Sequence, residues 1–173
     1  MILEFEITEG QKNDSPYLKK LLANISDILC VLADKGYASR LNAQLIADKN
    51  GKPFIKVKKN TNANTKTKNC PAWKNMVKLQ KNHPRKFKSI YRFRAKIEAN
   101  IHSFKSKLGD TVSCKNYNAI LNEICCKVIV YNTIRVIKTK LLLYGGYEYK
   151  NNLFTHESNL WFLNLNYKKL YTL

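Results

Sequence analysis

Scarce acidic residues and the absence of any long apolar run are the two most informative deficits of this 173-residue sequence. It contains 12 Asp and Glu against 31 Lys and Arg, which gives a formal net charge of +19. A compact fold with this surplus repels itself unless it binds an anionic partner, most often nucleic acid. No apolar stretch reaches the roughly 18 residues that a membrane-spanning helix needs. We therefore expect a nucleic-acid partner and no membrane association.

Metal-binding and secretory motifs are also missing. The five cysteines have no C-x-x-C spacing, and the three histidines form neither an H-E-x-x-H motif nor a zinc-finger pattern. The N-terminus lacks the basic region and the apolar run of a secretory signal. The sequence thus predicts an intracellular protein with reduced cysteines and no zinc site.

Hydrophobic periodicity predicts an α/β fold in the first 60 residues. Alternation of apolar and polar residues predicts a half-buried strand at the start, with Leu3, Phe5 and Ile7 facing inward. A helix, a strand buried on both faces, a second helix and an edge strand should follow at residues 14–22, 27–33, 39–49 and 53–59. This order predicts a parallel sheet that contains all three strands.

Two long helices are predicted after a polar loop at residues 60–69. Residues 88–108 and 116–143 show helical periodicity, and no role is assigned to the tail that follows. The apolar stripe of the first long helix consists of Ile90, Phe93, Ile97, Ile101, Phe104 and Leu108.

A lone acidic residue lies in the most basic part of the chain. Residues 49–109 contain eighteen Lys or Arg and one acid, Glu98. A helical wheel places four side chains within a sector of roughly 60°: Tyr91, Arg94, Glu98 and Lys105. Glu98 could form an exposed ion pair with Arg94, worth about 0.2–0.5 kcal/mol. It could instead coordinate a divalent metal, with nearby cations keeping it ionised. Both interpretations stay open on the residues alone.

The spacing of these four residues resembles the Y-x2-R-x3-E-x6-K signature of DDE transposases of prokaryotic insertion sequences. Residues 8–22 and 31–46 are similar to the family segment around its second catalytic aspartate, and residues 53–60 resemble the strand after it. The resemblance covers residues 7–140. It implies an RNase H-like catalytic domain at residues 1–143, incomplete because the first two strands are missing, and then a tail at residues 144–173.

The resemblance also implies roles for individual residues. Asp34 would be the second catalytic acid and Glu98 the third, and both would bind Mg²⁺ or Mn²⁺. The residues implied to bind DNA are Tyr91, Arg94, Lys105, Arg92 and Lys96. The expected reaction is metal-dependent DNA cleavage and strand transfer on transposon ends and target duplex. It would be carried out by a homo-oligomer on DNA in the cytoplasm or at the nucleoid.

No residue of this sequence matches the first catalytic aspartate of the family. We therefore expect a truncated or split transposase that is inactive alone and has an upstream transposase fragment as a possible partner. The alternative is a non-catalytic, basic DNA- or RNA-binding protein derived from a transposase, in which Asp34 and Glu98 are structural.

Overall fold

Strands and helices alternate along the first half of the chain, and helices dominate the second half. A computed structural model describes residues 1–7, 14–62, 70–144 and 163–165. The strands there are β1 (Phe5–Ile7), β2 (Cys30–Ala33), β3 (Lys52–Ile55) and β4 (Leu163–Leu165). The α-helices are α1 (Leu18–Leu21), α2 (Arg40–Asp48), α3 (Pro71–Asn82), α4 (Pro84–Tyr91), α5 (Arg94–Leu108) and α6 (Tyr117–Tyr144). The α/β class and the long C-terminal helix are confirmed.

These elements belong to two compact units. The first unit contains the described residues of 1–7, 99–144 and 163–165, and the second contains those of 14–62 and 70–98. The division into residues 1–143 and 144–173 stays a prediction, because most of the tail and of the polar loop lie outside the described residues. None of the described helices is both long and apolar enough to cross a bilayer.

The sheet of the second unit ends at an acidic residue. β2 and β3 pair in parallel, with Leu32 opposite Phe54, and Asp34 follows β2 directly. Burial alternates along β2, because Val31 and Ala33 are buried whereas Cys30 and Leu32 are half-buried. The prediction of burial on both faces was therefore wrong for every second residue.

The two edges of this sheet differ. Next to β3, the Ile55 N–H donates to Met76 Sδ at 3.4 Å, and Gln80 exchanges two hydrogen bonds with the backbone of Val57. Both side chains belong to α3, which thus covers the outer edge of β3, the strand that the sequence predicted to lie at the edge of the sheet. On the side of β2 that faces β3, Leu29 O accepts a hydrogen bond from the Lys52 N–H. Because successive residues of a strand point their N–H and C=O groups to opposite sides, every second residue of β2 points these groups away from β3. No strand among the described residues pairs with this edge of β2.

β1 does not join the sheet of β2 and β3, so the prediction of one three-stranded sheet was wrong. It pairs in parallel with β4 in the first unit, with Phe5 opposite Leu163. The inward assignment of Leu3 was also wrong, since Leu3 is 51% exposed and Ile2 is buried. Asn132 on α6 exchanges hydrogen bonds of 2.7 and 2.8 Å with the backbone of Ile2, which fixes this end of the chain.

Apolar side chains from α5 and α6 form the core of the first unit. Phe104 meets Tyr131 edge-on at 5.5 Å between ring centroids, and the Tyr131 hydroxyl donates to Asn100 O at 3.1 Å. The buried residues of this cluster are Ile2, Phe104, Ile120, Ile124, Val128 and Tyr131. One face of α6 therefore packs within the unit from Ile120 to Tyr131.

The helix predicted at residues 88–108 is interrupted. α4 ends at Tyr91 and α5 begins at Arg94. Between them the N–H groups of Phe93, Ala95 and Lys96 donate to carbonyls three residues earlier, which is tighter than the α-helical pattern. Of the predicted apolar stripe, Ile97 and Phe104 are buried. The other four residues are half-buried: Ile90, Phe93, Ile101 and Leu108.

Gly51 should be essential for the packing of α2 on the sheet. A Cβ at this position would lie 2.7 Å from Ile28 Cγ2 and 3.1 Å from the Ile46 carbonyl oxygen. Gly51→Ala should therefore lower the free energy of unfolding by about 1–3 kcal/mol, as overpacking does. Gly36→Ala is the control, because its Cβ would meet Asp14 Oδ2 at an ordinary 3.5 Å. Equal stability of the two variants in urea unfolding would contradict the packing argument.

Candidate functional site

Asp34 uses one carboxylate oxygen to shape the turn after β2. Its Oδ1 accepts a hydrogen bond of 2.7 Å from the Lys35 N–H, which caps a short 3-10 turn at Lys35–Tyr37. The other oxygen, Oδ2, lies 3.8 Å from Arg94 Nη2, and the side chain is 51% exposed. One oxygen thus fixes the orientation of the carboxylate while the other contacts a cation.

The guanidinium of Arg94 contacts both predicted catalytic acids. Arg94 Nη1 is 2.8 Å from Glu98 Oε1, and Nη2 is 3.8 Å from Asp34 Oδ2. The acids are 64 positions apart in the sequence but share this one cation. The i,i+4 pair that the sequence allowed is present, and it is only half of the arrangement. Two carboxylates with one guanidinium leave a local charge of −1 within a chain of +19.

Tyr91 links α4 to the end of β2. Its hydroxyl donates to the carbonyl oxygen of Ala33 at 3.3 Å. The Tyr91 ring stacks on Phe87 at 5.4 Å and 19°, and Phe87 contacts Phe54 of β3 at 5.8 Å. This aromatic column connects the sheet to the residues that immediately precede Arg94. Sequence reasoning did not find the column, because its members come from two elements far apart in the chain.

Burial raises the pKa of the Tyr91 hydroxyl above its ordinary value. The negative charges of Asp34 and Glu98 act in the same direction, whereas the charge of Arg94 and its hydrogen bond to Tyr91 act against them. The tyrosine is therefore neutral at physiological pH and available as a hydrogen-bond donor. Tyr91 ends α4 and Arg94 begins α5, yet their side chains are in contact. A helical wheel for one continuous helix was therefore the wrong description of residues 91–105.

Three other predicted site residues are exposed cations. Arg92 and Lys96 lie 5.5 and 5.2 Å from the centroid of the Phe93 ring, at the junction of α4 and α5. Lys105 lies on the part of α5 that belongs to the first unit. The aromatic residue between basic ones in the sequence YRFR is a signal that could have identified Phe93 as a surface residue.

The oxygen donors of this site suit a hard divalent cation but do not complete its coordination. In the part of the chain that the structure describes, no three His, Cys, Asp or Glu residues are grouped to hold a metal ion. Mg²⁺ commonly uses one or two protein carboxylates together with water and substrate phosphate oxygens. Asp34 and Glu98 therefore fit Mg²⁺ or Mn²⁺ as a partial ligand set that requires further oxygens.

The family model of the transposase DDE domain matches residues 1–133, which is most of the 173-residue chain. No similar curated protein and no similar solved structure was found.

Tyr91→Phe should test the link between α4 and β2. The variant keeps the aromatic column but loses the hydrogen bond to Ala33, so the free energy of unfolding should fall by about 1 kcal/mol. The difference in unfolding free energy between wild type and variant should shrink as the pH rises above about 10. The raised pKa of Tyr91 stabilises the folded wild type fully below the ordinary tyrosine pKa, and this contribution is lost as the pH rises through the raised value. Tyr117→Phe, at a tyrosine that is 60% exposed, is the control in urea unfolding at several pH values. A loss that stays constant up to high pH would refute the role of the buried hydroxyl.

Proposed function

The chain belongs to the transposase DDE domain family, and from this premise we propose that it supplies part of a DNA-cleaving and strand-joining site. In this proposal Asp34 and Glu98 are the second and third catalytic carboxylates. The observation that carries it is their contact with the same guanidinium, that of Arg94, although they are 64 positions apart. β2 would then be a central strand of an RNase H-like sheet, which agrees with the position of Asp34 directly after it.

Divalent metal ions at such a site activate the attacking oxygen and stabilise the leaving oxygen of a phosphodiester. The residues of this chain would hold the metal through Asp34 and Glu98. Hydroxyl donation by Tyr91 to the Ala33 carbonyl ties the end of α4, which directly precedes the helix of Glu98, to the strand that Asp34 follows. The substrate would be the duplex of the transposon ends and the target.

Arg94 would have two successive partners. Without metal, its guanidinium balances the carboxylates, as the distances of 2.8 and 3.8 Å indicate. If Asp34 and Glu98 held a divalent cation, the guanidinium of Arg94 would be free to bind a phosphate in the two-pronged geometry that arginine favours. Arg92, Lys96 and Lys105 would add further phosphate contacts, each of which steepens the salt dependence of DNA binding.

Metal binding in the presence of DNA tests the assignment of the two acids. Asp34→Asn with Glu98→Gln should weaken Mn²⁺ binding by at least about tenfold, because two anionic oxygen ligands are lost. The matched control is Asp48→Asn with Asp110→Asn, which changes the net charge equally at two exposed acids. Electron paramagnetic resonance of free Mn²⁺ measures the affinity. Equal Mn²⁺ affinity of the site and control variants would sink the proposed metal site.

A third carboxylate would come from another polypeptide in this proposal. The edge of β2 with which no described strand pairs can accept a parallel strand. Neighbouring parallel strands place their carboxyl ends on the same side of the sheet. A strand that ends in an aspartate would thus bring its carboxylate next to Asp34. An upstream transposase fragment is the proposed source of that strand.

Complementation should therefore be possible in trans. The chain alone should show no strand transfer, and addition of the polypeptide encoded upstream should produce Mg²⁺-dependent strand transfer on transposon-end DNA. Glu98→Gln should abolish the restored activity, whereas Asp110→Asn should not. An upstream reading frame unrelated to transposases would count against the split-gene version, and strand transfer by the isolated chain would show that no third carboxylate is required from outside.

A second candidate function is DNA or RNA binding without catalysis. Two observations favour it: the net charge of +19, and the absence of a third metal ligand beside Asp34 and Glu98 among the described residues. DNA affinity that is unchanged by Mg²⁺ and by the Asp34→Asn, Glu98→Gln pair would support this function over catalysis.

A further inference from the structure

Among the described residues, α6 carries exposed apolar side chains that lie outside the core cluster of its unit. Ile129 and Leu141 are 63% and 65% exposed, and Val130, Val136 and Ile137 on the same helix are also exposed. At about 100° per residue, these side chains lie on the opposite side of α6 from the buried Ile124, Val128 and Tyr131. Apolar residues grouped on one exposed face are typical of an interaction surface.

Polar groups within this face are few. Thr133 lies at its centre, and the Thr133 hydroxyl donates to Ile129 O at 2.9 Å, so its proton is already hydrogen-bonded within the helix. Cys126, Val130, Thr133, Ile137 and Lys140 recur at spacings of four and three residues, which is the period of a helix–helix seam. Lys140 is the only charged member of this row. The face can therefore be covered by another helix with little loss of polar hydration.

The sequence of the face is symmetric about Thr133. Residues 129–137 read IVYNTIRVI, so Ile and Val precede Thr133 at the same distances at which Val and Ile follow it. Two copies of α6 that cross antiparallel at Thr133 would place Ile129 of one copy against Ile137 of the other, and Val130 against Val136. The two-fold symmetry makes each of these contacts occur twice. This self-matching is what a two-fold interface requires, because the same patch must fit itself.

Charge also favours the antiparallel arrangement of two copies. In a parallel pair Lys140 would face Lys140, whereas in the antiparallel pair it faces Cys126. The chain carries +19, so two copies repel over most of their surfaces. Between Ile129 and Leu141 this face has one charged residue, Lys140, because Arg135 and Lys138 lie on the opposite side of the helix. We propose that two copies of this chain associate through the exposed face of α6, antiparallel, with the two-fold axis at Thr133.

The association should be weak without DNA. The apolar face spans about 18 Å along the helix at 1.5 Å per residue, which gives a contact below the size of a standard stable interface. A dissociation constant on the order of 10 µM is expected for a small contact of this kind. The proposal is independent of metal binding and catalysis, since it concerns the nucleic-acid-free chain.

Sedimentation velocity of the full chain at moderate salt tests the contact. Wild type should show a concentration-dependent monomer–dimer equilibrium, and Ile129→Glu or Ile137→Lys alone should weaken the dimer at least about tenfold, since each places a charge against an apolar side chain. Leu41→Lys on α2 is the matched control, because Leu41 is 78% exposed and belongs to the other unit. Circular dichroism confirms that each variant is folded.

The double variant Ile129→Glu, Ile137→Lys tests the direction of the helices. In the antiparallel pair each new acid meets the new base of the other copy, so the double variant should dimerise more tightly than either single variant. In a parallel pair like charges would meet, and the double variant would be the weakest. A wild-type chain that stays monomeric up to about 1 mM, a control that loses as much affinity as the single variants, or a double variant weaker than both would each overturn the proposal.

Discussion

The contact of one guanidinium with two carboxylates is the interaction on which the candidate site depends. In a chain of +19, the ion pair with Glu98 at 2.8 Å would by itself be an ordinary surface feature of small energetic value. The second contact of Arg94, with Asp34, makes the pair structurally important because it joins the end of β2 to the first turn of α5. The lone acid of the basic segment therefore has a structural reason: its counterpart is the acid that ends a strand elsewhere in the same unit.

The aromatic column makes this contact possible. Phe54, Phe87 and Tyr91 connect β3 to the last turn of α4, and the Tyr91 hydroxyl reaches the final carbonyl of β2. The tight turn at residues 92–93 then starts α5 with Arg94 as its first residue. A continuous helix would give Arg94 a direction set by the axis of α4 alone. The interruption that the sequence did not predict is thus part of how Arg94 is positioned.

Local patterns predicted local structure well. The helix predicted at residues 39–49 is α2, with Ser39 accepting from the Asn42 N–H at its start, Asp34 follows the strand predicted at residues 27–33, and α6 has nearly the predicted bounds. The failures concern partners that are distant in sequence. Alternation of apolar and polar residues predicts that β1 is a strand. It does not predict pairing with residues 163–165, because a strand shows the same two-residue period whichever strand it pairs with. Helical periodicity predicts that Leu41 of α2 faces inward, but it is 78% exposed. The neighbouring Asn42 is buried instead, with its amide donating to Ser15 and to Tyr37 O, and no hydrophobic pattern contains that information. Spacing likewise identified Tyr91, Arg94 and Glu98 but not the bond from Tyr91 to Ala33.

Net charge couples the two proposed associations. Repulsion between copies of a +19 chain opposes dimerisation, and a bound DNA duplex removes part of that repulsion by neutralising lysines and arginines on each copy. Whatever free energy DNA adds to dimerisation, dimerisation must add to DNA binding, because binding free energies are linked reciprocally. An apolar face on α6 and a basic surface elsewhere are therefore compatible in one protein. The apolar face lets copies meet where charge is sparse, and the polyanion lowers the electrostatic cost of their meeting.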